Sequence, residues 1–184
     1  MIIGITGTLG SGKGTVVEYL KTKYNFKHYS ARAFISEEVA QRGLPDNRDS
    51  MHTVGNDLRH KFGPSSTAEK LYDRAVTDGG HGVIESLRAV AEVKALQAKS
   101  PPCLIIGVDA DQRIRYQRII GRKSSTDNVS YEQFQVDEAK EMSDPDPAGM
   151  NIKRCLEECD MVIDNSGDLE SLHRKIDSII SKLI

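Results

Sequence analysis

Met1-Ile-Ile-Gly-Ile-Thr-Gly7-Thr-Leu-Gly-Ser-Gly12-Lys13-Gly-Thr15 opens the chain, and its reading decides the fold. The apolar run Ile2 to Ile5 has the pattern of a buried strand. It breaks into a glycine-rich loop. A helical pattern follows, with Val16, Val17, Leu20 and Tyr24 on one stripe. The spacing Gly7-x4-Gly12-Lys13 is that of a phosphate-binding loop. Glycines let the backbone turn tightly, so that several N–H groups meet on one anion. The following helix aims its positive end at the same place. Lys13 adds a point charge for the outer phosphates. The candidate phosphate ligands are therefore Gly7, Thr8, Leu9, Gly10, Ser11, Gly12, Lys13, Gly14 and Thr15. A strict loop of this kind has Ser or Thr directly after the lysine, to sit on Mg²⁺. Here Gly14 intervenes and Thr15 carries the next hydroxyl.

The bulk properties bound the rest. A chain of 184 residues reads as one domain with room for a substantial core. The net charge of -2 gives no basic bias toward nucleic acid, and no apolar run approaches a membrane span. A strand and a functional loop at the N-terminus do not read as a cleavable signal peptide, so the expected location is the cytoplasm. Three cysteines, Cys103, Cys155 and Cys159, do not make a disulfide framework. Cys155 and Cys159 are expected on one helix face as thiols. The five histidines are scattered without metal spacing and read as structural or surface residues.

Further along, strand patterns recur at 26–30, 82–85, 103–109 and 160–164. Helical patterns fall between them, at 33–43, 47–62, 67–77, 89–98, 111–120, 130–142, 148–158 and from 169 onward. Ser66-Thr-Ala-Glu69 has the form of a capping box. Five short apolar strands alternating with helices predict an α/β chain, with a parallel sheet covered on both faces. The polar stretch near 122–145 fits a short lid over a site.

A phosphate loop alone says only that a nucleotide triphosphate binds. Arg113, Arg115, Arg118 and Arg122 add to it, with Lys123 beside them. Arg115, Arg118 and Arg122 are spaced to share one helix face. Like charges on one face repel, and an anion there would relieve them; a solvated basic face is the plainer reading. Phosphoryl transfer spreads negative charge over the transferring oxygens and needs such cations. Glu85 and Arg88 directly follow a buried strand, at the sheet edge where α/β folds bind ligands.

These residues resemble a known group. Gly12-Lys13-Gly14-Thr15 is the loop variant of adenylate kinases and other nucleoside monophosphate kinases. Arg118-Ile-Ile-Gly-Arg122-Lys123 is similar to the start of their lid. The resemblance implies a three-layer α/β/α P-loop NTPase fold with a five-stranded parallel sheet. It implies a nucleoside-monophosphate-binding helical segment at about 31–78 and a lid at about 122–145. It makes Arg118 the residue over the adenine of ATP and Arg122 the phosphate clamp. Glu85 would lie near Mg²⁺, with Thr15 the hydroxyl candidate, and Arg88 would grip the acceptor phosphate. Val83-Ile-Glu85-Ser-Leu-Arg88, Gly55-Asn56, Leu58-Arg59 and Asn165-Ser-Gly167 resemble most closely the archaeal adenylate-kinase-related group, itself similar to dephospho-coenzyme A kinases. By that likeness Asn165 and Gly167 face the adenine. Ser30, Arg32 and Arg59 are acceptor-side candidates. Asp127, Asp137 and Glu138 could pair with lid arginines or close onto the acceptor.

The expected activity is ATP- and Mg²⁺-dependent transfer of the γ-phosphoryl group to a nucleoside or deoxynucleoside monophosphate. The catalytic set would be Lys13, Arg88, Arg118 and Arg122. The expected partner is a small-molecule nucleotide acceptor, with no nucleic acid and no membrane, in a monomer or homodimer. Two other readings stand beside it: a dephospho-coenzyme A kinase-like phosphotransferase, and a non-catalytic nucleotide-binding regulatory or assembly protein.

Overall fold

A computed structural model describes residues 1–122, 129–143 and 149–183. Strand β1 (Ile2–Gly7) is buried along its whole length. It is the middle strand of a five-stranded sheet, ordered β2-β3-β1-β4-β5. The others are β2 (Lys27–Ser30), β3 (Gly82–Leu87), β4 (Cys103–Asp109) and β5 (Met161–Asp164). All four pairings are parallel. Parallel strands share one polarity, so every carboxyl end opens on the same edge. The loop after β1, Arg88 after β3 and Asn165 after β5 therefore meet there.

Alternation along β1 divides the core. Ile3 and Ile5 pack on α1 (Lys13–Tyr24) and α9 (Leu169–Ile180), through Val16, Val17, Leu20, Leu172, Ile176 and Ile180. Ile2 faces the opposite layer. That layer contains α2 (Ala31–Gln41), α3 (Arg48–Phe62), α4 (Ser66–Thr77), α5 (Val90–Gln97) and α8 (Ile152–Glu157). Phe34, Val54, Leu58, Leu71, Val93, Leu96 and Cys155 fill it. The result is the three-layer α/β/α arrangement expected from the strand and helix patterns. Helices α2 to α4 occupy the long connection from β2 to β3, and α6 (Gln112–Gly121) and α7 (Tyr131–Met142) the one from β4 toward β5.

Short polar side chains set the helix starts. Asn47 accepts from the Ser50 amide at 2.8 Å, Asp111 from those of Arg113 and Ile114, and Ser130 from that of Gln133. Three local expectations change. The box at Ser66 does not form: the helix begins at Ser66, and it is the Ser65 hydroxyl that donates to Glu69, at 2.6 Å. Of the helix expected over 148–158, the described residues form α8 alone; Asn151 caps it, accepting from Arg154 N at 3.1 Å. Cys159 then lies beyond the helix, and its thiol donates to the Cys155 carbonyl at 3.0 Å. Lys123 and Asp127, with the rest of 123–128 and with 144–145 of the anticipated lid, lie outside the described residues; α7 occupies most of the remaining lid range.

Candidate functional site

Four carbonyls of the glycine loop are tied by side chains. Lys13 Nζ donates to the carbonyls of Gly7 and Thr8, each at 2.8 Å. Arg115 donates to the Leu9 carbonyl at 3.0 Å, and Asn165 Nδ2 to the Ser11 carbonyl at 2.8 Å. A planar trans peptide points its C=O and N–H in opposite directions. Tying these carbonyls therefore turns the N–H groups of Thr8, Leu9, Gly10 and Gly12 the other way, which is how a backbone anion nest is built. Thr8 Oγ1 donates to Asp109 Oδ1 at 2.6 Å, fastening the loop to the end of β4. Gly12 stands at φ 96° directly before α1, and a Cβ there would run into Asn165 Nδ2. Only glycine suits both constraints.

Two polar atoms among the described residues are buried without a partner: Ser11 Oγ and Arg118 NH1. Both belong to residues around the loop, and both fit a bound anion. Arg118 lines a cleft of about 400 Å³ with Gly12, Thr15, Gly121, Arg122, Asn165, Gly167, Leu169 and Leu172. Its NH2 reaches the Gly167 carbonyl at 3.4 Å. The cleft thus joins the phosphate loop to an apolar wall at Leu169 and Leu172, the combination a nucleoside phosphate needs.

On the other flank of β1, Glu85 and Arg88 project from the end of β3. Ser86 between them has φ 76° and is skipped in the register, where Ile5 pairs with Glu85 and Thr6 with Leu87. This bulge re-aims the strand end. Glu85 Oε2 bonds His28 Nε2 at 3.0 Å, and that bond holds the carboxyl below its usual range. Arg88 donates to Glu141 of α7 at 3.1 Å. Its backbone N–H and that of Ala89 both donate to the buried Glu92, at 2.7 and 2.9 Å. Burial raises the Glu92 pKa against those two bonds.

Lys13 joins the two halves. Burial of its ammonium, and then the nearby Arg88, bring its pKa down from 10.5 to about 8. Arg122 pushes in the same direction, whereas Glu141 and Glu85 oppose it. Arg88 follows β3 and Arg122 caps the end of α6, so charges from two other elements bear on Lys13.

The expected residues divide clearly. Lys13, Glu85 and Arg88 lie on the β3 side of the loop, and Thr15, Arg118, Arg122, Asn165 and Gly167 gather in the cleft. Thr15 and Glu85, expected to share a metal, lie on different sides of the loop: Thr15 lines the cleft on the β5 side and Glu85 stands near the end of β3. Asn165 acts on the loop through its side-chain amide. Ser30 caps α2, accepting from Ala33 N at 3.2 Å. Arg32 is exposed on α2, and Arg59 bonds Asn56 within α3. Gly14 has open space beside it.

Arg115 does not belong to an anion-binding face. It is 6% exposed and held by Glu138, with Nε donating to the Ala110 carbonyl at 2.8 Å. Glu138 accordingly pairs with an arginine of α6, while Asp137 accepts from Gln133 on α7's own surface. Sequence reasoning missed four contributors: His28, Asp109, Glu92 and Glu141. His28 was legible in part, because it sits two residues before Ser30 on the same strand face. Glu92 caps the start of its own helix and was legible locally, Asp109 depends on the pairing of β4 with β1, and Glu141 on the docking of α7.

Residues 6–135 match the family described as AAA domain. The UPF0200 protein of Thermococcus sibiricus is 28% identical over 189 residues, spanning 100% of this chain and 95% of that protein. The crystal structure of TT1252 from Thermus thermophilus superposes with a TM-score of 0.63 at 19% identity, covering 100% of this chain and 98% of that one. Shikimate kinase from Acinetobacter baumannii, in complex with shikimate, gives 0.57 at 16% identity, covering 98% and 93%. At such identities the likeness is one of fold. With more than half its length inside the family match, the chain belongs to the AAA domain family, on the fold that P-loop kinases share.

Proposed function

We propose that the protein is an ATP-dependent small-molecule kinase whose acceptor is a nucleoside or deoxynucleoside monophosphate. The observation that carries this reading is the glycine loop with Lys13 bonded across it, set beside Arg88 at the end of β3 and Arg122 in the adjoining cleft. Cations crowded together are unfavourable unless an anion joins them. A triphosphate on the loop and a phosphate on Arg88 would supply that anion from both sides. The names of relatives on this fold, shikimate kinase among them, agree with a phosphotransferase.

In this reading the amides of Thr8, Leu9, Gly10 and Gly12 and the Lys13 ammonium hold the β- and γ-phosphates. Arg118 covers the base, and Arg122 clamps the phosphates from the cleft side. Thr15 offers its hydroxyl to the triphosphate. Glu85, kept ionised by His28, would hold Mg²⁺, directly or through water. When bound, the metal would neutralise charge on the triphosphate. An oxygen of the acceptor phosphate bonds to the γ-phosphorus as the bond to the β-bridging oxygen breaks, and ADP leaves with that electron pair. The acceptor is already an anion, so the step needs no general base; positioning and charge neutralisation dominate.

A coupled assay across AMP, CMP, UMP, GMP, their deoxy forms and dephospho-coenzyme A tests the reading. Transfer to a monophosphate is expected. Transfer only to dephospho-coenzyme A would assign a hydroxyl acceptor. ATP binding without transfer to any acceptor would make the protein a nucleotide-binding regulator. Lys13→Ala is expected to lower turnover at least tenfold, about 1.4 kcal/mol of transition-state stabilisation. Unchanged turnover in that variant would refute the kinase reading.

A further inference from the structure

The guanidinium of Arg88 is engaged by a carboxylate from the chain itself. Its NH1 donates to Glu141 Oε1 at 3.1 Å and contacts Met150 Sδ at 3.5 Å. Glu141 also raises the pKa of Lys13, so its carboxylate is within electrostatic reach of both cations. It comes from α7, whereas Lys13 begins α1 and Arg88 follows β3.

Helix α7 is itself anchored. Glu138 lies three residues before Glu141, on the same face. Arg115 and Gln112 of α6 both bond Glu138, and Arg115 also donates to the Leu9 carbonyl of the phosphate loop. The backbone carrying Glu141 is therefore tied to the loop.

We infer that Glu141 is a specificity-determining residue, which seats a monoanion on Arg88 that an incoming acceptor must displace with a phosphate dianion. The inference rests on the kinase reading of this site. The pair is partly exposed, with Arg88 at 37% and Glu141 at 19%, and such pairs hold weakly. A phosphate offers twice the charge and a bidentate match to the guanidinium. A neutral group offers no charge to exchange for the carboxylate. Glu141 thus occupies Arg88 until a phosphate-bearing acceptor displaces it.

The test titrates inorganic phosphate into protein saturated with ADP, by calorimetry at pH 8, where phosphate is mainly the dianion. Glu141→Gln keeps the side chain's shape and removes its charge, and is expected to bind phosphate at least fivefold more tightly than wild type. Arg88→Met combined with Glu141→Gln is expected to lose that gain. Glu141→Ala is measured in parallel, so that a folding defect in one variant does not decide the outcome. Phosphate binding that is unchanged or weaker in both single variants overturns the inference, because a purely structural Glu141 would give that result. Failure of ADP to bind counts against the kinase reading alone; the same comparison is then made with phosphate and no ADP.

Discussion

Lys13 concentrates the electrostatics of the site in one residue. Its ammonium bonds two loop carbonyls yet is destabilised by burial and by Arg88, which lowers its pKa to about 8. The charged form is present below that pH and lost above it. A triphosphate needs the charged form, so ATP affinity is expected to hold at pH 7 and fall as pH rises through about 8. Binding above pH 8 should take up a proton. Titration calorimetry at pH 7, 8 and 9, in buffers of different ionisation enthalpy, measures both effects; in Lys13→Met neither inflection nor proton uptake at this pH should remain. Stability has the opposite sign. The unfolded lysine keeps its proton up to 10.5, so between about 8 and 10.5 the unfolded state binds more protons and the empty protein gains stability as pH rises.

At the scale of elements, the joint between α6, α7 and the loop carries the most consequence. Arg115 and Glu138 are both nearly fully buried, and Arg115 reaches Leu9, Ala110 and Asp109 as well. Removing one partner leaves the other charge buried and unpaired. Arg115→Met is expected to cost about 3–5 kcal/mol in urea unfolding. Arg115→Met with Glu138→Leu should cost less than Arg115→Met alone, because no stranded charge remains. A double variant as unstable as the sum of the two singles would mean that the pair does not couple these helices. The sequence marks Arg115 only as part of a basic run. Helical spacing puts it on a face with Arg118, but it cannot show that α7 supplies a carboxylate to that face.

For the whole molecule, the site is assembled from every strand end. ATP contacts elements across the sheet in the proposed reading, so binding should stabilise the entire fold. At a hundredfold excess over Kd the gain is about 2.7 kcal/mol. For a chain of this size that corresponds to a rise in Tm of roughly 5–10 °C, read by differential scanning calorimetry. A Tm unmoved by ATP at millimolar concentration would count against nucleotide binding.

The sequence by itself determined the alternation of strands and helices, and with it the layers, because apolar period and glycine punctuation are local properties of the chain. It also determined the phosphate loop, since the turn, the amide nest and Lys13 all lie within nine consecutive residues, Gly7 to Thr15. Glu85 and Arg88 were legible for a related reason: they lie at and just past the end of a buried strand. Only the tertiary structure decided which cations face the loop and which are consumed in holding it. Arg118 keeps an unpartnered nitrogen in the cleft, while Arg115, three residues earlier, is buried on Glu138. It also brought His28 to Glu85, Asp109 to Thr8, Asn165 to Ser11 and Glu141 to Arg88. Those partners are 53 to 154 residues apart in the chain. Charge pairing acts over a few ångströms of space, and only the packed sheet and helices set which residues come that close.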